Sequence, residues 1–178
     1  MTPTLVRHHR YADSSAPVDA GTRARDWAEI QERMLAPLYE AVYERLEVGA
    51  GTRMLSLGCG SGLALLIAAS RGARVTGVDT DRERLALARE RLASDTGREA
   101  GPGPVEHRAR LLDSVPAAAP DGEAPYNLLT AFQPIGCAAG DSEGLAPALA
   151  SAVPLAVRGA TVVLAGWDLR SAAPPRPC

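Results

Sequence analysis

Leu55-Ser56-Leu57-Gly58-Cys59-Gly60-Ser61-Gly62 is the stretch whose reading decides the fold. It ends a short apolar segment, Arg53–Leu57, that reads as a strand. Three glycines follow at alternate positions. Leu63 to Ser70 is then apolar almost all round, as a helix buried against a sheet would be. Strand, glycine turn and buried helix together predict the opening of an open, parallel α/β sheet. In such sheets ligands lie beyond the carboxyl ends of the strands. Glycine is needed at that turn because a Cβ would hold a ligand away from the backbone.

Downstream, Gly72 closes the helix in C-cap style. Arg74–Val78 reads as a second strand ending at Asp79, and Asp81 can cap a helix running to about Leu92. Val105–Leu111 is a weaker strand candidate. Tyr126–Ala131 is a strand, and Asp141 or Ser142 opens a helix that Pro147 and Pro154 should shorten. Ala160–Ala165 is the last strand, and a Pro-rich tail follows Trp167. Upstream, Trp27, Ile30, Met34, Leu38, Val42 and Leu46 recur at helical spacing, with Pro37 dividing the run into two helices. Residues 1–22 show no period and read as an arm or lid. The expected division is an N-terminal arm with helices over 1–50, an α/β domain over 51–166 and an irregular tail over 167–178.

Composition narrows the function. The chain has 178 residues, 46% hydrophobic and 22% charged, with a net charge of -2. Those fractions fit one folded domain, and the near-neutral charge gives no basic face for nucleic acid. All 19 basic residues are Arg. A Lys Schiff base and a Walker-type phosphate Lys are therefore excluded. Cys59, Cys137 and Cys178 fit neither a disulfide framework nor a zinc cluster. The apolar runs are too short to span a bilayer, and no signal peptide is visible. A cytoplasmic protein with no metal and no membrane partner is expected.

Two features at the turn choose among ligands. The glycines at 58, 60 and 62 give G-x-G-x-G, whereas a dinucleotide fingerprint wants its third glycine where Leu63 stands. Asp79, 21 residues after Gly58, lies at the predicted end of the second strand. A carboxylate there can accept hydrogen bonds from both hydroxyls of a ribose.

The stretch Leu55 to Gly62, followed by Val75-Thr76-Gly77-Val78-Asp79, resembles the class I S-adenosylmethionine-dependent methyltransferases. Asp26-Trp27 and the run Ala36 to Tyr43 resemble a bacterial small-molecule branch of that superfamily. The resemblance covers about residues 24–166 and is strongest over 36–92. It implies a Rossmann-like three-layer α/β sandwich with a mainly parallel sheet, shortened here to about five strands, and an N-terminal helical arm. It implies S-adenosylmethionine as methyl donor, S-adenosylhomocysteine as product and a small-molecule acceptor.

It also implies site residues. Gly58, Cys59, Gly60, Ser61 and Gly62 form the turn against the donor, and Asp79 takes the ribose hydroxyls with Thr80 beside the adenosine. Leu112 and Asp113 match the adenine contact, although Asp113 also reads as a solvated loop acid. Ala131, Phe132 and Gln133 match the lining of the methyl-donor pocket, although Phe132 also reads as core. Trp27 either covers the donor from the arm or belongs to an apolar helix face. No catalytic residue is assigned: His8, His9 and His107 are candidates for a general base by type only.

Two departures stand out. Ser56 replaces the acid that the family usually places two residues before the first glycine. The family sheet also has two further strands after the fifth. The fifth strand is therefore expected to be an apolar edge, buried in a homodimer. Two other functions compete with methyl transfer. One is a truncated, weak or inactive protein that binds S-adenosylmethionine or S-adenosylhomocysteine. The other is a nicotinamide enzyme, which Leu63 disfavours.

Overall fold

The computed structural model describes residues 32–94, 108–118, 125–132 and 144–165, together with residues 22, 25, 26 and 30. In chain order the elements are α1 (Ala36–Arg45), β1 (Arg53–Leu57), α2 (Leu63–Ser70), β2 (Arg74–Val78), α3 (Arg82–Ser94), β3 (Ala109–Leu112), β4 (Tyr126–Ala131), α4 (Leu145–Ala152) and β5 (Ala156–Leu164). A single turn of 3-10 helix, Val153–Leu155, joins α4 to β5.

The five strands form one sheet in the order β3-β2-β1-β4-β5, and every pairing is parallel. β1 therefore lies at the centre, and the chain reverses its direction of travel between β1 and β4. Two apolar cores fill the opposite faces. One packs Tyr39, Tyr43, Leu65, Ala68, Leu85 and Leu92 of α1, α2 and α3 on Met54, Val75 and Leu128. The other packs Ala152 and Leu155 on Leu55, Leu57, Val78 and Leu129. The result is the three-layer α/β sandwich expected. Among the described residues no helix is long and apolar enough to cross a membrane.

β1, α2, β2 and β4 fall on the residues the sequence indicates. Pro37 sits in the first turn of α1, where its missing N–H costs nothing. Gly72 adopts φ 97° after α2, and Ala73 N–H closes back on Ala68 O.

Two expectations need correction. β3 begins at Ala109, later than the expected Val105; residues 105–107 lie outside the described residues. β5 begins at Ala156, four residues before the expected Ala160. Its register on β4 jumps from Tyr126↔Ala156 to Leu128↔Thr161, and Gly159 has φ 82° within the slip. A bulge at a glycine splits one strand into what reads as loop plus strand. The expected opening at Asp141 or Ser142 lies outside the described residues, and α4 is described from Leu145.

The face of the N-terminal helical run is also not the one its aliphatic residues mark. Ile30, Met34, Leu38 and Leu46 are exposed, Met34 by 71%. The buried positions are Glu32, Tyr39 and Tyr43, with Leu35 and, from the expected row, Val42 partly covered. These positions share helical spacing too. Aromatic rings bury more area than aliphatic chains, and each ring keeps a polar tip that needs a partner. Tyr43 Oη finds one, donating to Ala64 O at 3.0 Å.

Candidate functional site

The glycine turn bends through left-handed backbone. Gly58, Gly60 and Gly62 have φ of 64°, 57° and 81°, where a residue with a Cβ is strained. The turn leans over the end of β2, with Cys59 N–H donating to Val78 O at 2.9 Å. Gly60 N–H donates to Asp79 Oδ2 at 2.8 Å, and Asp81 N–H donates to Asp79 Oδ1 at 2.9 Å. Asp79 is 7% exposed. Its carboxylate thus ties together the two turns at the carboxyl ends of β1 and β2.

Asp81 does the helix capping separately. Its Oδ1 accepts from Glu83 N–H at 2.9 Å and Arg84 N–H at 3.2 Å. Asp79 is thereby spared that task. Each of its oxygens carries one protein bond, while an ionised carboxylate offers about four acceptor sites. The remaining capacity is what a ribose diol requires.

Cys59 points the other way. Its side chain fills a notch left by Gly77: a Cβ on Gly77 would come within 2.8 Å of Cys59 Sγ and 2.4 Å of Leu65 Cδ1. Burial pushes the thiol pKa well above its usual value, and the carboxylates of Asp79 and Glu32 push it further. The thiol stays protonated and inert, so Cys59 offers the turn its backbone alone. Gly62 has a packing role as well, since a Cβ there would lie 2.9 Å from Ala88 Cβ. The third glycine lets α2 start close against α3.

The other expected residues divide into three groups. Thr80 is exposed beside Asp79, and Leu112 O accepts from Asp79 N–H at 3.2 Å. Asp113 is exposed and accepts from Ser114 Oγ at 3.1 Å. These three stand with the glycine turn along the carboxyl edge of β1, β2 and β3. Ala131 ends β4 and Phe132 follows it, but both are buried, with Phe132 packed on Tyr39 and Tyr43 at ring separations of 4.9 and 5.8 Å. The core reading of Phe132 is therefore the one its side chain realises. Trp27 and Gln133 lie outside the described residues, as do His8, His9 and His107.

Two features escape the sequence. The first is a row across the α1–α3 face, one residue short of the carboxyl edge: Gly77, Ser56, Thr130 and Val163 are register partners in turn. Ser56 and Thr130 are almost fully buried, and among the described residues Thr130 Oγ1 has no hydrogen-bond partner. A buried hydroxyl left open beside the glycine turn is polar capacity waiting for a water or a ligand. The second is Glu32, wholly buried at the start of α2. Leu63 N–H donates to its Oε1 at 3.0 Å, and Ser61 Oγ and Arg91 Nη1 meet its Oε2, the latter at 2.8 Å. No local motif announces this cluster, because its members lie 29 to 59 residues from Glu32.

Comparison with known proteins follows from this geometry. Residues 54–130 match the family described as methyltransferase domain. The match covers under half of the chain and contains the glycine turn and Asp79. Methyltransferase GfsG of Streptomyces halstedii is 44% identical to the chain over 69 residues, which cover 38% of the chain and 23% of GfsG. An S-adenosylmethionine-dependent methyltransferase from Thiobacillus denitrificans, solved with S-adenosyl-L-homocysteine, matches with a TM-score of 0.54 at 20% identity. The match covers 72% of this chain and 47% of that one. A TehB-like methyltransferase from Corynebacterium glutamicum matches with the same TM-score at 20% identity, over 84% of this chain and 78% of its own. At these identities the structural likeness shows the methyltransferase fold. The chain spans less than half of the Thiobacillus protein and about a quarter of GfsG.

Proposed function

We propose that the domain binds S-adenosylmethionine over the carboxyl ends of β1 and β2 and transfers its methyl group to a small molecule. One observation carries the reading: the buried Asp79 carboxylate holds Gly60 of the left-handed glycine turn and keeps acceptor capacity for a ribose. Bound S-adenosylmethionine supplies a methyl group already activated by its sulfonium. The chain's own task is then alignment and exclusion of water. Asp79 accepts the ribose hydroxyls, and Gly58 to Gly62 let the backbone approach the amino-acid end. Thr80, Leu112 and Asp113 flank the adenine side. In this reading residues 1–50 form the lid, 51–166 bind the donor, and the exposed Val162 and Leu164 of β5 meet a second copy of the chain.

A second reading, donor binding without turnover, is favoured by Ser56. It stands neutral and buried where the superfamily usually has an acid. A neutral hydrogen bond contributes about 1 kcal/mol and a charged one roughly twice that. The donor's ammonium end is then held several-fold less tightly.

Calorimetric titration with S-adenosylmethionine, S-adenosylhomocysteine and NAD, followed by methyl transfer to a panel of small acceptors, tests both readings. Donor binding with turnover supports the first. Donor binding with no turnover supports the second. Binding of NAD alone overturns both.

A further inference from the structure

We infer that Glu32 is a positioning residue for the glycine turn, coupling the docking of residues 32–38, which lead into α1, to the turn's hold on the methyl donor. The inference rests on the donor-binding reading of the turn.

The start of α2 lacks a cap of its own. Its N-cap is Gly62, in left-handed backbone and with no side chain to accept the first N–H groups. Glu32 supplies the acceptor from 31 residues upstream, taking Leu63 N–H on Oε1. Its other oxygen is held by Ser61 Oγ and Arg91. Arg91 Nη1 reaches Ser61 O at 3.0 Å and Ser61 Oγ at 2.8 Å as well, so the guanidinium also closes on the turn. The glycine turn is thus held between two carboxylates: Asp79 takes Gly60, and Glu32 takes Ser61 and Leu63.

This clamp bears on affinity because glycine-rich backbone has the most freedom to lose. A turn that visits other shapes binds in proportion to its competent fraction. A carboxylate that fixes residues 61–63 raises that fraction before the donor arrives.

The segment carrying Glu32 depends on the same contacts. Ile30, Met34 and Leu38, spaced along one side of it, are 64%, 71% and 40% exposed. Among the described residues, Leu35 of this stretch packs partly on the core, and Glu32 is wholly buried and ion-paired. A buried carboxylate needs its partners, so any movement of residues 61–63 loosens its seat. Linkage then runs both ways: donor binding must strengthen the docking of residues 32–38 by the factor that docking strengthens donor binding.

The test compares the native chain with Glu32→Gln and Arg91→Ala. S-adenosylhomocysteine affinity is measured by calorimetry, and hydrogen exchange is followed at residues 58–63 and 32–38 with and without that ligand. Glu32→Gln keeps the shape and the Leu63 acceptor but loses the charge. We expect its affinity to fall about tenfold, within the usual range of coupling between sites. Exchange at 58–63 should rise without ligand, and the native protection of 32–38 by S-adenosylhomocysteine should vanish. Arg91→Ala, at a partly buried position, should do the same to a smaller extent, about threefold. Glu32→Asp should recover part of the loss by restoring the charge.

A purely structural Glu32 gives a different result: a lower melting temperature with unchanged affinity and intact ligand protection of 32–38. That outcome overturns the inference, whichever of the two variants is the one that folds. If the native chain binds no S-adenosylhomocysteine, the donor reading of the turn fails. The clamp is then judged by exchange at 58–63 alone, and unchanged exchange in both variants overturns it too.

Discussion

The two sides of the central strand β1 are built differently. On the β2 side, turns and strand ends are buried and cross-tied: Asp79 holds Gly60 and Asp81, Cys59 fills the notch of Gly77, and Gly62 lets α2 close on α3. On the β4 side, Thr130 has a hydroxyl with no partner among the described residues, and β5 bulges at Gly159 and exposes Val162 and Leu164. The first side is organised in advance for a ligand of fixed shape. The second side leaves polar and apolar groups open to something else.

Asp79→Ala should produce the largest effect. It removes the proposed ribose acceptor and also the partner of two backbone N–H groups. At about 1.5–3 kcal/mol for each hydrogen bond to a charged group, donor affinity should fall on the order of hundredfold. Calorimetry with S-adenosylmethionine checks this, and an unchanged affinity would show that the ribose is held elsewhere.

Gly77→Ala comes next. The added methyl meets Leu65 Cδ1 and Cys59 Sγ at distances no packed atoms tolerate. Stability should drop by about 1–3 kcal/mol, as overpacking does, measured by urea unfolding. The double variant Gly77→Ala with Cys59→Ala should recover part of that loss. A loss that stays the same would mean that the thiol does not fill the notch.

Asp81→Ala should cost about 1 kcal/mol, the usual loss of an N-cap, and leave donor affinity nearly unchanged. A large fall in affinity would merge the two acids that the geometry separates.

The smallest effect on stability belongs to the open side. Val162→Arg, at an exposed position of β5, should alter stability by no more than about 0.5 kcal/mol. If β5 meets a second copy of the chain, the same substitution should shift light scattering from dimer to monomer, because a charge on an edge strand opposes pairing. A native chain that is already monomeric at high concentration removes the proposed dimer.

Most of the rigid side was legible beforehand. The spacing at 58, 60 and 62, the apolar strand before it and the acid after the second strand are all local patterns, and local patterns survive in a linear reading. The aliphatic row of the N-terminal helix shows where such reading fails. Ile30, Met34 and Leu38 mark a plausible buried face, yet Tyr39 and Tyr43 won the core because Phe132, from β4, arrived to pack on them. Cys59 was legible as a member of the turn, but its inward direction depends on Gly77 in another strand.

The sequence by itself determined the α/β class, the position of the glycine turn, the separate tasks open to Asp79 and Asp81 and the absence of lysine chemistry. Each depends on neighbours a few residues apart or on residue type alone. Only the tertiary structure decided that Glu32 caps a helix 31 residues away, that Arg91 joins it, and that Ser56 and Thr130 stand side by side beneath the turn. Those contacts cross between segments that only the packing of α1 and α3 and the pairing of β1 with β4 bring together. Burial makes them matter, because a charge or hydroxyl removed from water takes its energy from whichever partners the fold supplies.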